Sequence, residues 1–178
     1  MKDRTPIPPR MPVTQPITEA IIEDAIVKAV QNVCKTMMRQ EATVRPTTTD
    51  APPTGTCQLM GNVGFVGAAS GVVYLCLSND FASYATGEIL GMSPGEVEMN
   101  GYEVVKDAIG EITNMTAGGF KNRLCDIGFA CKLTLPTIVR GKDLSVAALK
   151  GTNRHIFEFD CAGHRLTADI QLKTEQTV

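Results

Sequence analysis

The chain has 178 residues and a formal charge of -2 from 17 basic and 19 acidic side chains, enough for one sizeable core and no reason to ask for two. With 43% hydrophobic and 20% charged residues it has the composition of a packed soluble domain, not of a disordered or membrane chain. Lys and Arg are dispersed instead of clustered, which argues against a nucleic-acid partner, and the lack of Trp with only 5% aromatics argues against a stacking platform for bases or sugars.

No apolar run approaches the about eighteen residues of a membrane span, and Met1 to Pro6 lacks the apolar core of a signal peptide, so a cytoplasmic location without membrane contact is expected. The six cysteines, Cys34, Cys57, Cys76, Cys125, Cys131 and Cys161, contain no C-x-x-C pair and are expected to be buried, reduced thiols.

In chain order, residues 1–17 form a Pro-rich arm, and residues 18–178 the domain. The stretch from Thr5 to Pro16 carries five of the ten prolines and reads as extended. From Thr18 to about Arg39, Ile22, Ala25, Ile26, Ala29, Val33 and Met37 recur at helical steps behind a Thr18 cap, which predicts a long amphipathic helix. Pro46 to Gly55 is polar and Pro-rich and predicts a surface loop. Thr56 to Val66 and Gly71 to Leu77 are β-prone and largely apolar, with Gly67-Ala68-Ala69-Ser70 as a loose hairpin loop. Asn79 to Leu90 predicts a second helix ended by Gly91, and Ser93-Pro94-Gly95 a turn into a third helix from about Asn100 to Leu124. Strands are expected at Cys131 to Leu135, Leu144 to Lys150, Arg154 to Phe159 and Arg165 to Leu172, with Asp160 to His164 joining the last two as a hairpin. A long helix followed by strands thus occurs twice, hinting at internal duplication, and the fold class is α+β with a mainly antiparallel sheet packed with long helices.

The third helix holds the chemistry. At about one hundred degrees per residue, Asp107, Glu111, Asn114 and Gly118 fall within roughly sixty degrees of one another. Val105, Ala108, Ile109, Ile112 and Thr116 lie opposite, an apolar face suited to packing on a sheet. Any solvated helix shows polar residues at this spacing. This stripe differs in pairing a carboxylate with an amide three residues on, with small residues a turn later and no Lys or Arg to neutralise the acid, an arrangement suited to a basic partner. Gly118 and Gly119 each cost about 0.8–1.0 kcal/mol in a helix relative to Ala, so something is expected to approach the backbone there.

Gly110-Glu111-Ile112-Thr113-Asn114-Met115-Thr116-Ala117-Gly118 resembles the E-x-x-N signature helix of the CheC, CheX and FliY phosphatase family. Val63 to Gly67 with Gly71 to Leu75 is similar to the family's hairpin, and Leu133 to Gly141 to its segment after the signature helix. The first helix has no E-x-x-N between Glu23 and Asn32, so the single site resembles the CheX branch. The resemblance implies a CheC-like fold, a homodimer, and a phosphatase that removes the aspartyl phosphate of a CheY-like response regulator. It implies Glu111 and Asn114 as catalytic residues, Asn114 orienting water and Glu111 contacting the partner's lysine, with Asp107 and Gly118 touching the partner. It also implies Mg2+ supplied by the partner's receiver domain and no cofactor or metal of the chain's own. A non-catalytic module of the same fold that binds a receiver domain or a motility protein is the alternative.

Other constellations are weaker. His155, Cys161 and His164 offer at most three ligands with no second cluster. Gly61, Gly64, Gly67 and Gly71 match neither phosphate-loop spacing and fit tight strand packing instead. Ser70 lies in no nucleophile elbow.

Overall fold

The computed structural model describes residues 16–46 and 57–174. Residues 1–15 of the expected arm and most of the polar loop at Pro46 to Gly55 lie outside these residues.

Helix α1, Glu19–Met38, begins where Thr18 Oγ1 accepts from Ile21 N and ends at Arg39 in the left-handed region. Strand β1, Ala42–Arg45, follows. Strands β2, Leu59–Gly67, and β3, Ala69–Leu77, form a hairpin tighter than expected, with only Ala68 between them. Helix α2, Asn79–Leu90, is capped by Ser78 and stopped by Gly91 at φ 66°. The expected turn at Ser93-Pro94-Gly95 is instead the first turn of a short helix, α3, Pro94–Asn100. Ser93 and Glu96 cap each other's backbone there and Pro94 takes the position that needs no N–H. Helix α4, Tyr102–Asp126, is the longest element. Strands β4, Cys131–Leu133, β5, Thr137–Arg140, β6, Asn153–Cys161, and β7, His164–Thr174, complete the chain. The β6–β7 turn has Ala162 and Gly163 at φ 53° and 80°, the mirror-image turn that matches the twist of a two-residue hairpin.

All pairings are antiparallel, in the order β1-β6-β7-β3-β2-β4, with β5 also on the free edge of β2. The two hairpins meet at β3 and β7, and each outer edge is covered by the strand that follows the other half's long helix: β1 after α1 pairs with β6, and β4 and β5 after α4 pair with β2. This exchange is the duplication suggested by the repeated helix-plus-strands pattern. One face of the sheet carries Leu59, Val63, Phe65, Val73, Leu75, Leu77, Phe159, Leu166, Ala168 and Ile170, and buries them against Ile26, Val30, Phe81, Ile109, Ile112, Phe120 and Leu124 of the helices. Phe65 meets Phe120 edge to face at 5.7 Å between ring centroids.

Two sequence expectations fail here. Residues Leu144 to Lys150 do not form a strand. Two of their backbone groups are satisfied by a side chain instead: buried Gln171 accepts from Leu149 N at 2.6 Å and donates to Ala147 O at 3.0 Å. Nor are all thiols reduced, because Cys57 and Cys76 form a disulfide. The hairpin brings their Cα atoms to 5.2 Å, within reach of such a bond, although they are 19 apart in sequence and follow no short motif.

Candidate functional site

Helix α4 lies over β2 and β3 and packs on α1 and α2, which decides which of its side chains stay free. Val105, Ala108, Ile109, Ile112, Thr113, Thr116, Ala117, Phe120 and Leu124 are buried. The stripe on the other side is as expected: Asp107 and Glu111 are exposed, and Asn114 and Gly118 half-buried. The structure therefore brings the four residues together on one accessible surface.

The helix sits low on the sheet. A β-carbon on Gly61 of β2 would fall 2.0 Å from Thr113 Oγ1, so glycine there allows contact that no other residue permits. The approach expected at Gly118 and Gly119 divides in two. Gly119 meets the chain's own α1, where an added β-carbon would lie 3.0 Å from Ala29 Cβ. At Gly118 the same construction meets only Leu133 Cδ1 at 4.0 Å. Counting back from the Ala29–Gly119 crossing, α1 has Ile21 and Asp24 where α4 has Glu111 and Asn114. Asp24 is moreover engaged by Lys28 at 2.6 Å and Arg123 at 3.3 Å, which hold its carboxyl below the usual range. The acid-amide pair is thus confined to α4.

Cations near the stripe are turned elsewhere. Lys106 holds Glu103 at 3.0 Å, Lys121 donates to Asn122 at 3.0 Å, and Arg140 of β5 lies 4.8 Å over the Tyr102 ring. Among the described residues, Asp107 and Glu111 enter no ion pair. An exposed carboxylate without its own counter-charge can accept a charge-assisted hydrogen bond from a cation, and the amide next to it can both donate and accept. Strand β5, which the sequence reading missed, is what places Arg140 and the edge of the sheet beside this helix.

The remaining candidates stay apart. His164 stacks on Phe81 and Tyr84, at 5.2 and 5.1 Å between ring centroids, and His155 lies on β6. Among the described residues no cluster of three or more His, Cys, Asp or Glu could hold a metal ion. Cys34 has its thiol pushed up by hydrogen bonding to Cys161 and by burial, and burial beside Cys125 pushes Cys131 up to about 11. Neither is a ready nucleophile.

A family model described as chemotaxis phosphatase CheX matches residues 59–160. The chemotaxis protein CheX of Vibrio vulnificus is 25% identical and superposes with a TM-score of 0.73 over 85% of this chain and 96% of its own. A CheC-like superfamily protein from Shewanella sp. PV-4, 24% identical, has a TM-score of 0.72 over 88% of this chain and 99% of its own. The CheX of a CheX–CheY–BeF3–Mg2+ complex from Borrelia burgdorferi, 18% identical, has a TM-score of 0.63 over 84% of this chain and 96% of its own. These last two bear on the fold alone. No curated protein matches.

Proposed function

The chain belongs to the CheX family of chemotaxis phosphatases, and from that membership we propose that it hydrolyses the aspartyl phosphate of a CheY-like response regulator in trans, through Asn114 and Glu111. The observation that carries this reading is the unengaged acid-amide pair one turn apart on the accessible face of α4. The Borrelia burgdorferi complex of a CheX with CheY, BeF3 and Mg2+ supports the choice of partner.

The residue types suit the reaction. Phosphoryl transfer passes through a loose transition state, in which placing a water in line matters more than strong base catalysis. A neutral amide at Asn114 can hold that water without repelling the phosphoryl oxygens. The carboxylate of Glu111 pairs with the receiver's phosphate-binding lysine, a charge-assisted contact that fixes register. Asp107, one turn before Glu111, adds negative potential for a basic partner surface, and Gly118 keeps the end of the stripe clear. The Mg2+ of the reaction belongs to the receiver.

The test is the lifetime of the phosphoryl group on purified CheY-like regulators. Wild type shortens it catalytically, whereas Asn114→Ala stays folded and loses the acceleration and Glu111→Ala weakens it. Variants that act like wild type would leave α4 as a docking surface, and a non-catalytic receiver-binding module would then be the better reading.

A further inference from the structure

The edge of the sheet beside α4 is broken in a particular way. Leu133 stands opposite Phe65, and Ile138 opposite Gly61, so one more residue lies between Leu133 and Ile138 than between Phe65 and Gly61 on β2. The extra residue makes a β-bulge at Leu135 and Pro136, a device that re-aims a side chain where a strand would otherwise continue. Pro136 has no N–H to lose there. The bulge is anchored: Thr134 N donates to Gly64 O at 2.8 Å, and Thr134 Oγ1 accepts from Gly64 N at 2.9 Å.

Leu135, held on that anchored bulge, is 87% exposed. Among the described residues only Met99, on α3, is a comparably exposed large hydrophobic side chain. The place of Leu135 along α4 is set by the contacts on either side of it. Gly110 of α4 faces Ile138, and Gly118 faces Leu133. Leu135 therefore lies alongside the turns that bear Glu111 and Asn114. An apolar side chain displayed by an anchored bulge, alongside the turns that carry an unpaired acid and an amide, has the make-up of an interface anchor: one apolar contact next to the polar ones.

The geometry points to Leu135 as a positioning residue that docks an apolar patch of the partner receiver domain next to its phosphate-binding lysine, fixing how far that domain slides along α4. This rests on the phosphatase reading and names a part of its interface that lies outside the E-x-x-N pair. Leu135 touches no reacting atom, so its contribution is to partner binding and not to the chemical step.

The experiment uses the full chain and a CheY-like receiver domain that it dephosphorylates, loaded from acetyl phosphate. Leu135→Asp is expected to raise KM by roughly tenfold, the scale of one leucine side chain removed from a contact, with kcat within about twofold of wild type. Leu135→Met is expected to restore KM. Binding of the same receiver with beryllofluoride should weaken in parallel for Leu135→Asp and remain intact for Asn114→Ala. Because the side chain is exposed, both variants should unfold at the wild-type temperature. An unchanged KM and unchanged binding in Leu135→Asp, with Asn114→Ala still inactive, overturns the docking role and leaves the phosphatase reading standing. A wild-type protein that neither binds nor dephosphorylates any receiver removes both.

Discussion

Thr113 of α4 stands directly over Gly61 of β2, so close that a β-carbon on Gly61 would lie 2.0 Å from its Oγ1. Thr113 cannot simply turn away, because its hydroxyl donates to Ile109 O at 2.7 Å within the helix. Gly61→Ala must therefore lift α4 or shift β2, and a cost of about 1–3 kcal/mol is expected from this overpacking. The double variant Gly61→Ala/Thr113→Ala should recover part of the loss, since the clash is with the Thr113 side chain. Denaturant unfolding of the two single variants and the double variant checks this. A Gly61→Ala protein as stable as wild type would show that the helix is not seated as described.

How this seat is built also shows what could be read from the sequence. The stripe of Asp107, Glu111, Asn114 and Gly118 was legible because one face of a long helix is buried, and burial enforces the period. Its neighbours were less so. Strand β5 is short and follows Pro136, and its bulge hides the alternation of Leu133 and Ile138 across two missing registers. Helix α3 was hidden by Ser93-Pro94-Gly95, which looks like a turn, although Ser93 followed by Glu96 is a capping-box signal. The Leu144 to Lys150 segment alternates like a strand, yet Gln171 takes the Leu149 N–H and the Ala147 carbonyl, and Leu144 N donates to Cys57 O. Contacts made by one distant side chain leave no local period to read.

On the opposite face of the sheet from α4, Arg154 grips Asp169 with Nε at 3.1 and 3.0 Å from its two oxygens and Nη2 at 2.5 Å. The Asp169 side chain is only 4% exposed. Removing the arginine leaves a buried charge without its partner, so Arg154→Ala is expected to cost about 3–5 kcal/mol. Replacing both residues by leucine should cost much less than the sum of the single changes. A double-mutant cycle by urea unfolding measures this, and additive single effects would show that the pair is not coupled.

His155 gives stability a pH dependence of known sign. Burial lowers its pKa, and the nearby Glu19 offsets this only in part. The unfolded chain therefore takes up the proton at higher pH than the folded one. Stability from this group is fully present above the unfolded value of about 6.5 and is lost as pH falls through that value toward the lower folded one. The wild-type melting temperature should drop between about pH 7.5 and 5.5 by more than that of His155→Gln. Equal slopes in the two proteins would remove His155 as the cause.

The disulfide between Cys57 and Cys76 closes a loop across the β2–β3 hairpin, with a sequence separation of 19. Its effect falls mainly on the unfolded chain, whose freedom it limits, and a loop of this length gives about 3 kcal/mol in the chain-entropy account. The folded hairpin is already held by its own register, in which Met60 faces Cys76 and Gly61 faces Leu75 beneath Thr113. Reduction should thus lower the melting temperature without moving α4. Wild type treated with a thiol reductant and the Cys57→Ser/Cys76→Ser variant should lose similar stability, by about 2–3 kcal/mol. Both should keep the wild-type rate of receiver dephosphorylation at 25 °C. A fall in that rate while the protein remains folded would mean that the bond helps seat the helix, and not only that it restrains the unfolded state.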